Sequence, residues 1–294
     1  MKNNVVGRKT SGVDKALRIA LYATLILVAG FYLMPLVVML ITSMKDAEEV
    51  RNGTLLSLPS YIHFDSWEKA WSSACTGSSC HGISPYFMNS FKIVIPAVAI
   101  STILGAINGY VISLWRFRGS NLFFAALLLG CFIPFQVVLL PMARTLGWLG
   151  IASSTTGLVF VHVVYGVAFT TLFFRNFYQS IPGELIKAAR LDGAGFFTIF
   201  YRIILPVSTP IIVVTVIWQF TQIWNDFLFG VAFSGFESQP VTVALNNLVN
   251  TSFGGKEYNV DMAAAVIAAL PTLIVYVFAG KYFVRGLTAG AVKG

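Results

Sequence analysis

Charge is scarce in this chain. Asp, Glu, Lys and Arg make up 11% of its 294 residues, against 56% apolar residues. A soluble domain of this length carries roughly a quarter charged residues. The apolar residues are grouped in blocks and do not alternate, which speaks against a membrane barrel and for helices in lipid. Cysteine is almost missing too, at three residues. Cys131 lies inside an apolar run and reads as a small packing residue. Cys75 and Cys80 flank a hydrophilic Thr76-Gly77-Ser78-Ser79 stretch. They are a disulfide candidate if that loop faces an oxidising compartment, with two free thiols as the alternative. So short a closed loop is worth about 2 kcal/mol in the chain-entropy picture. The surroundings offer too few further ligands for a metal, so no metal site is expected. Internal repeats and low-complexity segments are also lacking. The net charge of +8 is not a nucleic-acid signal here, because excess Lys and Arg in a membrane protein mark its cytoplasmic side.

What is present is a set of apolar runs. Residues 19–41 would cover ~35 Å as a helix, enough to cross the hydrocarbon with some tilt. That run is too long for a signal-peptide core and lacks a small-residue cleavage site, so it reads as an anchor. Further runs cover residues 93–114, 122–142, 158–174, 207–229 and 263–283. The expected fold is an all-α integral membrane protein, residues 1–294 forming a single domain of six transmembrane helices. Six spans put both termini on one side. Lys2, Arg8, Lys9, Lys15 and Arg18 precede the first run, Arg116 and Arg118 follow the second, and Arg175, Lys187, Arg190 and Arg202 follow the fourth. Basic residues in the alternate connections are diluted by Asp46, Glu48, Glu49, Asp65, Glu68, Glu237 and Glu257. The asymmetry predicts cytoplasmic termini and outward-facing loops at 44–90 and 231–260.

One polar island stands out, in the loop 178–206 between the fourth and fifth runs. Pro182 suits a first helical turn and Ser180 is placed to cap it. Leu185, Ala188, Ala189 and Asp192 then fall on one face, and Gly193 supplies a left-handed stop. A second amphipathic stretch runs to Pro206, which breaks it. Such a short helix fits either a groove on a partner or the lipid headgroup layer. The pattern leaves both open.

The loop resembles the coupling motif of binding-protein-dependent ABC importer permeases, which runs Glu-Ala-Ala, three residues, Gly, nine residues, Ile-x-Leu-Pro. Ala188-Ala189, Gly193, Ile203, Leu205 and Pro206 stand at matching spacing. Lys187 departs from it, standing where the family usually has Glu. Asn89-Ser90, Trp224-Asn225-Asp226-Phe227 and the ending from Phe283 to Gly294 resemble the sugar-importer branch, and the chain is similar to maltose-type permease subunits, with a glucose- or mannitol-type importer as the narrower resemblance. The resemblance implies an inner (cytoplasmic) membrane subunit of a sugar importer, working with a second permease subunit, an ATPase dimer and a periplasmic sugar-binding protein. It implies that Glu184, Leu185, Lys187, Ala188, Ala189, Asp192, Gly193 and Ala194 couple to the ATPase. It also implies that ATP and Mg²⁺ sit on that partner, with no cofactor bound by this chain. The sequence agrees in lacking a P-loop. Around Gly254-Gly255-Lys256, Asn250 replaces the required upstream glycine and Glu257 follows the lysine.

Within the fifth run, Gln219, Gln222 and Asp226 recur at i, i+3 and i+7, with Asn225 beside the last. A polar stripe in lipid faces protein or water. These residues and Trp218 are therefore pathway-lining candidates, Trp218 and Trp224 offering flat apolar surface; inter-helix hydrogen bonding is the other reading. Ser101, Gly105 and Gly109 form a small-residue packing row, and His162 reads as a satisfied buried histidine or a proton relay. Asn246, Asn247, Gly254 and Gly255 are binding-protein contact candidates by resemblance, with a plain connector as the alternative. The rival to the importer reading is a secondary transporter or channel subunit, which should show ion-coupling carboxylates or inverted repeats. An intramembrane enzyme would need a catalytic constellation that no motif supplies, so no catalytic residue is expected.

Overall fold

The computed structural model describes residues 12–54, 56–115, 117–251 and 255–291. Lys2, Arg8, Lys9, Arg116, Gly254 and the end of the tail from Val292 to Gly294 lie outside the described residues. The described chain is helical apart from turns and one isolated bridge between Thr76 and Ser79. In chain order the helices are α1 (Gly12–Ser43), α2 (Ala47–Asn52), α3 (Asp65–Ser72), α4 (Ser84–Leu114), α5 (Ser120–Phe132), α6 (Phe135–Trp148), α7 (Thr155–Tyr178) and α8 (Gly183–Leu191). They continue with α9 (Phe196–Ile199), a π-helical turn (Phe200–Ile204), α10 (Leu205–Val207), α11 (Thr209–Trp224), α12 (Leu228–Phe233), a 3₁₀ turn (Phe236–Ser238), α13 (Val241–Asn250) and α14 (Tyr258–Ala291).

The chain divides into two compact units, residues up to 67 with 257–266, and residues 68–256 with those from 267 onward. In the first unit α1 carries exposed apolar side chains, Ile19, Leu27 and Tyr32 among them. Beyond it the polar groups are tied together. Lys45 is buried, its Nζ donating to Thr54 O (3.1 Å) and Ser57 Oγ (2.9 Å). Asn259 Nδ2 donates to Lys45 O (3.1 Å) and Ser66 Oγ (2.9 Å). Asp46 caps α2 by accepting the Glu49 amide at 2.7 Å.

In the second unit α4 lies along α7, and α11 packs on both. The small-residue row explains the close approach of α4 and α7. A Cβ on Gly105 would lie 2.3 Å from Thr170 Oγ1, and one on Gly109 would lie 2.7 Å from Phe174 Cβ. Ser101 shares the row and is fully buried; its carbonyl accepts Thr170 Oγ1 at 2.9 Å. Trp224 is also enclosed, at 1% exposure, donating Nε1–H to Ala268 O at 2.9 Å and packing against Phe87, Phe91 and Phe220. It therefore offers no open face, contrary to its expected role beside Trp218.

Among the described residues, four helical stretches are long and apolar enough to cross a membrane: Lys15–Ser43, Ser84–Leu114, Thr155–Tyr178 and Tyr258–Ala279. They include the expected runs 19–41, 93–114 and 158–174, and most of 263–283. The other two expected spans are bent pairs. Residues 122–142 are broken between α5 and α6 by 106°. Pro134 bars its predecessor from the helical region, and Ile133 is extended (φ −68°, ψ 123°). The stretch Phe196–Val207 meets α11 at 75°. Pro206 and Pro210 remove two amide donors there, and Ser208 Oγ donates to Ile204 O and lies 3.2 Å from Tyr178 Oη. The expected run 207–229 is interrupted again after Trp224, where residues 225–227 leave the helix. The i+7 relation of Gln219 to Asp226 is therefore not a helical one.

Candidate functional site

The polar island folds as α8, bounded by Pro182 and Gly193. Pro182 is the capping residue and makes no side-chain cap bond. The expected Ser180 cap does not form. Ser180 Oγ instead donates to Phe177 O at 2.7 Å, a carbonyl in the last turn of α7 that also accepts the Ser180 amide at 2.9 Å. Gly193 stops the helix as expected, at φ +79°. Its amide donates to Arg190 O (3.1 Å) and the Ala194 amide to Ala189 O (2.9 Å), the paired bonds of a Schellman motif.

The two faces of α8 have different surroundings. Ile186 and Ala189 are buried in a cluster with Tyr110, Phe174, Tyr178, Ile199 and Ile204, and Ala194 packs against it. Glu184, Leu185, Lys187, Ala188 and Asp192 are exposed. Ala189 therefore points inward and does not share the outer face of Leu185 and Ala188. Leu191, missed in the pattern because it sits beside the stop, is 89% exposed. Leu185, Ala188 and Leu191 leave a small apolar strip facing outward. A polar and aromatic clamp holds the helix from behind. The Arg190 guanidinium lies 4.5 Å from the Trp115 ring centroid, Trp115 Nε1–H donates to Tyr110 Oη, and Tyr110 Oη donates to Phe196 O at 3.1 Å.

A second feature lies between α6, α7, α11 and α12. It is a recess of about 590 Å³, counted to its open mouth, walled by Phe135, Tyr165, Phe169, Trp218 and Phe229 and edged by His162, Gln222 and Asp226. Trp218 is braced by Phe169 and Phe173, with ring centroids 4.8 and 5.3 Å away. Gln222 is exposed, and Asn225 is exposed with its Oδ1 3.4 Å from Thr272 Oγ1. Gln219 also borders the recess, but its Nε2 donates to Ser101 Oγ at 3.0 Å and sits over Gly166, where any Cβ would collide with it. That amide joins α11 to α4. Asp226 accepts the Gly230 amide at 3.1 Å and the Phe229 amide at 3.4 Å, so its carboxylate starts α12. His162 is buried, with Nε2 3.9 Å from Asp226 Oδ2. The sequence placed these two on different spans. The break after Trp224 brings them together.

On the α13 side, Asn246 and Gly255 are exposed and Asn247 is half-buried. Gly255 has φ +97°. Asn247 O accepts Thr251 Oγ1 at 2.6 Å, and Thr251 Oγ1 accepts the Gly77 amide at 3.0 Å. Gly77 lies within the small loop closed by a disulfide between Cys75 and Cys80. Asn89 and Ser90 join the start of α4 to the turn before α13: Asn89 Nδ2 donates to Glu237 O at 2.7 Å, and Ser90 Oγ accepts the Val241 amide at 2.9 Å.

Residues 97–289 match the family described as binding-protein-dependent transport system inner membrane component. The chain is 39% identical over 278 residues to a Pyrococcus horikoshii protein described as a probable ABC transporter permease, covering 94% of this chain and 98% of that one. It is 32% identical to a xylose/arabinose import permease protein of Haloferax volcanii, covering 93% of each. Among solved structures, a bacterial ABC transporter involved in import of the acidic polysaccharide alginate superposes with a TM-score of 0.79. That match spans 93% of this chain and 98% of the other at 22% identity, a likeness of fold.

Proposed function

Because the chain belongs to the family of binding-protein-dependent transport system inner membrane components, we propose that it is a permease subunit of an ATP-driven sugar importer. It forms half of a translocation pathway with a second permease subunit. An extracytoplasmic sugar-binding protein delivers the substrate, and α8 docks on a separate ATPase pair that holds ATP and Mg²⁺. Both termini and α8 face the cytoplasm, and the subunit makes and breaks no bond itself. The observation that carries this reading is the two-faced α8. Ile186 and Ala189 root it in the core, while Leu185, Ala188 and Leu191 are left uncovered. An apolar strip on a short helix fits a groove in a partner, and the rooted face would carry the partner's motion to α4 and α7.

The coupling set is Glu184, Leu185, Lys187, Ala188, Asp192 and Gly193 on the exposed side, with Ala189 and Ala194 as the inward support. Trp218, Gln222, Asn225 and Asp226 are proposed to line the pathway, Gln219 holding α11 in place beside them. Asn246, Asn247, Gly254 and Gly255 are proposed to meet the binding protein.

The test is Ala188→Arg, which leaves the buried face untouched, together with Gly193→Asp. Uptake and transport-stimulated ATP hydrolysis by the assembled complex should collapse while membrane insertion persists. Normal uptake in Ala188→Arg would remove the docking role.

A further inference from the structure

We propose that the recess between α7 and α11 is a saccharide subsite of this subunit, selective for uncharged pyranose or furanose rings over sugar acids. This rests on the importer reading and names what the pathway would hold at that point. The wall is aromatic: Trp218 stands against Phe169, and Tyr165 and Phe229 lie 4.8 Å apart between centroids. A sugar ring presents a C–H face that packs on such a surface and hydroxyls at its edge that need donors and acceptors. Those are supplied by the Gln222 amide, the Asp226 carboxylate and the His162 imidazole.

The charge decides the class. Among the described residues no Lys or Arg lines the recess, and the carboxylate at its edge is Asp226. A uronic acid would bring a second carboxylate beside Asp226 without a permanent cation to offset it, whereas a neutral sugar can donate its hydroxyls to the carboxylate.

The experiment uses the transporter assembled with its own partner subunits and binding protein. Uptake of labelled D-glucose, D-xylose and D-glucuronate is measured for the unmodified complex, Gln222→Leu, Trp218→Phe and Asp226→Asn. Removing one hydrogen bond to substrate is worth about a tenfold change, so Gln222→Leu should raise the KM of the transported neutral sugar about tenfold, and Asp226→Asn should relax discrimination against glucuronate. Trp218→Phe, which keeps the wall, tests the ring contact with the least risk to folding. Unaltered KM and an unaltered sugar profile in all three would overturn the subsite while leaving the importer reading intact. Absence of ATP-dependent uptake of any sugar by the unmodified, assembled complex would instead fail the importer reading. As a second readout, a cysteine at position 222 should be protected from alkylation by the neutral sugar. If that cysteine instead crosslinks to the second permease and is shielded without sugar, the recess is a protein contact and the proposal falls.

Discussion

Individual side chains decide how closely the helices of the second unit approach. Gly105 is the sharpest case, because its virtual Cβ meets Thr170 at 2.3 Å from Oγ1 and 2.8 Å from the backbone carbonyl carbon. A neighbour's backbone cannot rotate away, so α4 and α7 would have to separate. Gly105→Ala is expected to destabilise the protein by about 1–3 kcal/mol, read as a lowered thermal midpoint in detergent; an unchanged midpoint would contradict the close packing. In the first unit, hydrogen bonds from the Ser60 hydroxyl and amide hold the Glu49 carboxyl below its usual range. The sign follows from the depressed folded value. The stabilisation is present above the unfolded pKa and is lost as pH falls through the folded one. Protection of the Ser60 amide, corrected for the intrinsic pH dependence of exchange, should therefore fall on acidification, and Glu49→Gln should flatten that dependence.

At the scale of elements, three devices shape what the chain can do. Gly193 ends α8 in a left-handed conformation that costs a residue with a Cβ roughly 1–2 kcal/mol. Gly193→Val should accordingly loosen the end of α8, with faster exchange at the Ala194 amide and little change in α7. The disulfide loop at 75–80 supports the end of α13 through Gly77 and Thr251. Opening so small a loop by Cys75→Ser with Cys80→Ser should cost about 2 kcal/mol. The loss should appear as increased exchange around Thr251, with the packing of α4 against α7 unaffected. The break after Trp224 matters most for the recess. Asp226 takes the amides of α12 in place of helical partners, and this turns the carboxylate toward His162.

For the molecule as a whole, sidedness is the prediction with the widest reach. The basic excess in alternate connections predicts that α8 lies inside and the disulfide loop outside. In a Cys131→Ser background, a cysteine replacing the exposed Leu191 should react with an impermeant thiol reagent only after the cells are opened, and one replacing the exposed Ser78 should react in intact cells. The reverse pattern would invert the topology and separate α8 from any cytoplasmic ATPase.

Residue order alone determined that the chain is helical and apolar enough for a membrane, where the runs lie, and that Gly193 stops a loop helix at the spacing of the permease motif. These are local matters of composition, periodicity and backbone freedom. Packing decided the rest. Ala188 and Ala189 are identical side chains one position apart, yet one is exposed and the other is rooted beside Tyr178, a difference set by which face of α8 meets the core. Trp218 borders an open recess while Trp224, six residues on, is enclosed. Pattern could not reveal that His162 and Asp226 meet, because they come from separate helices and the break after Trp224 removes the helical period that linked Asp226 to Gln219. Short-range rules govern where a helix begins and ends; which side chains share a space depends on contacts distant in sequence.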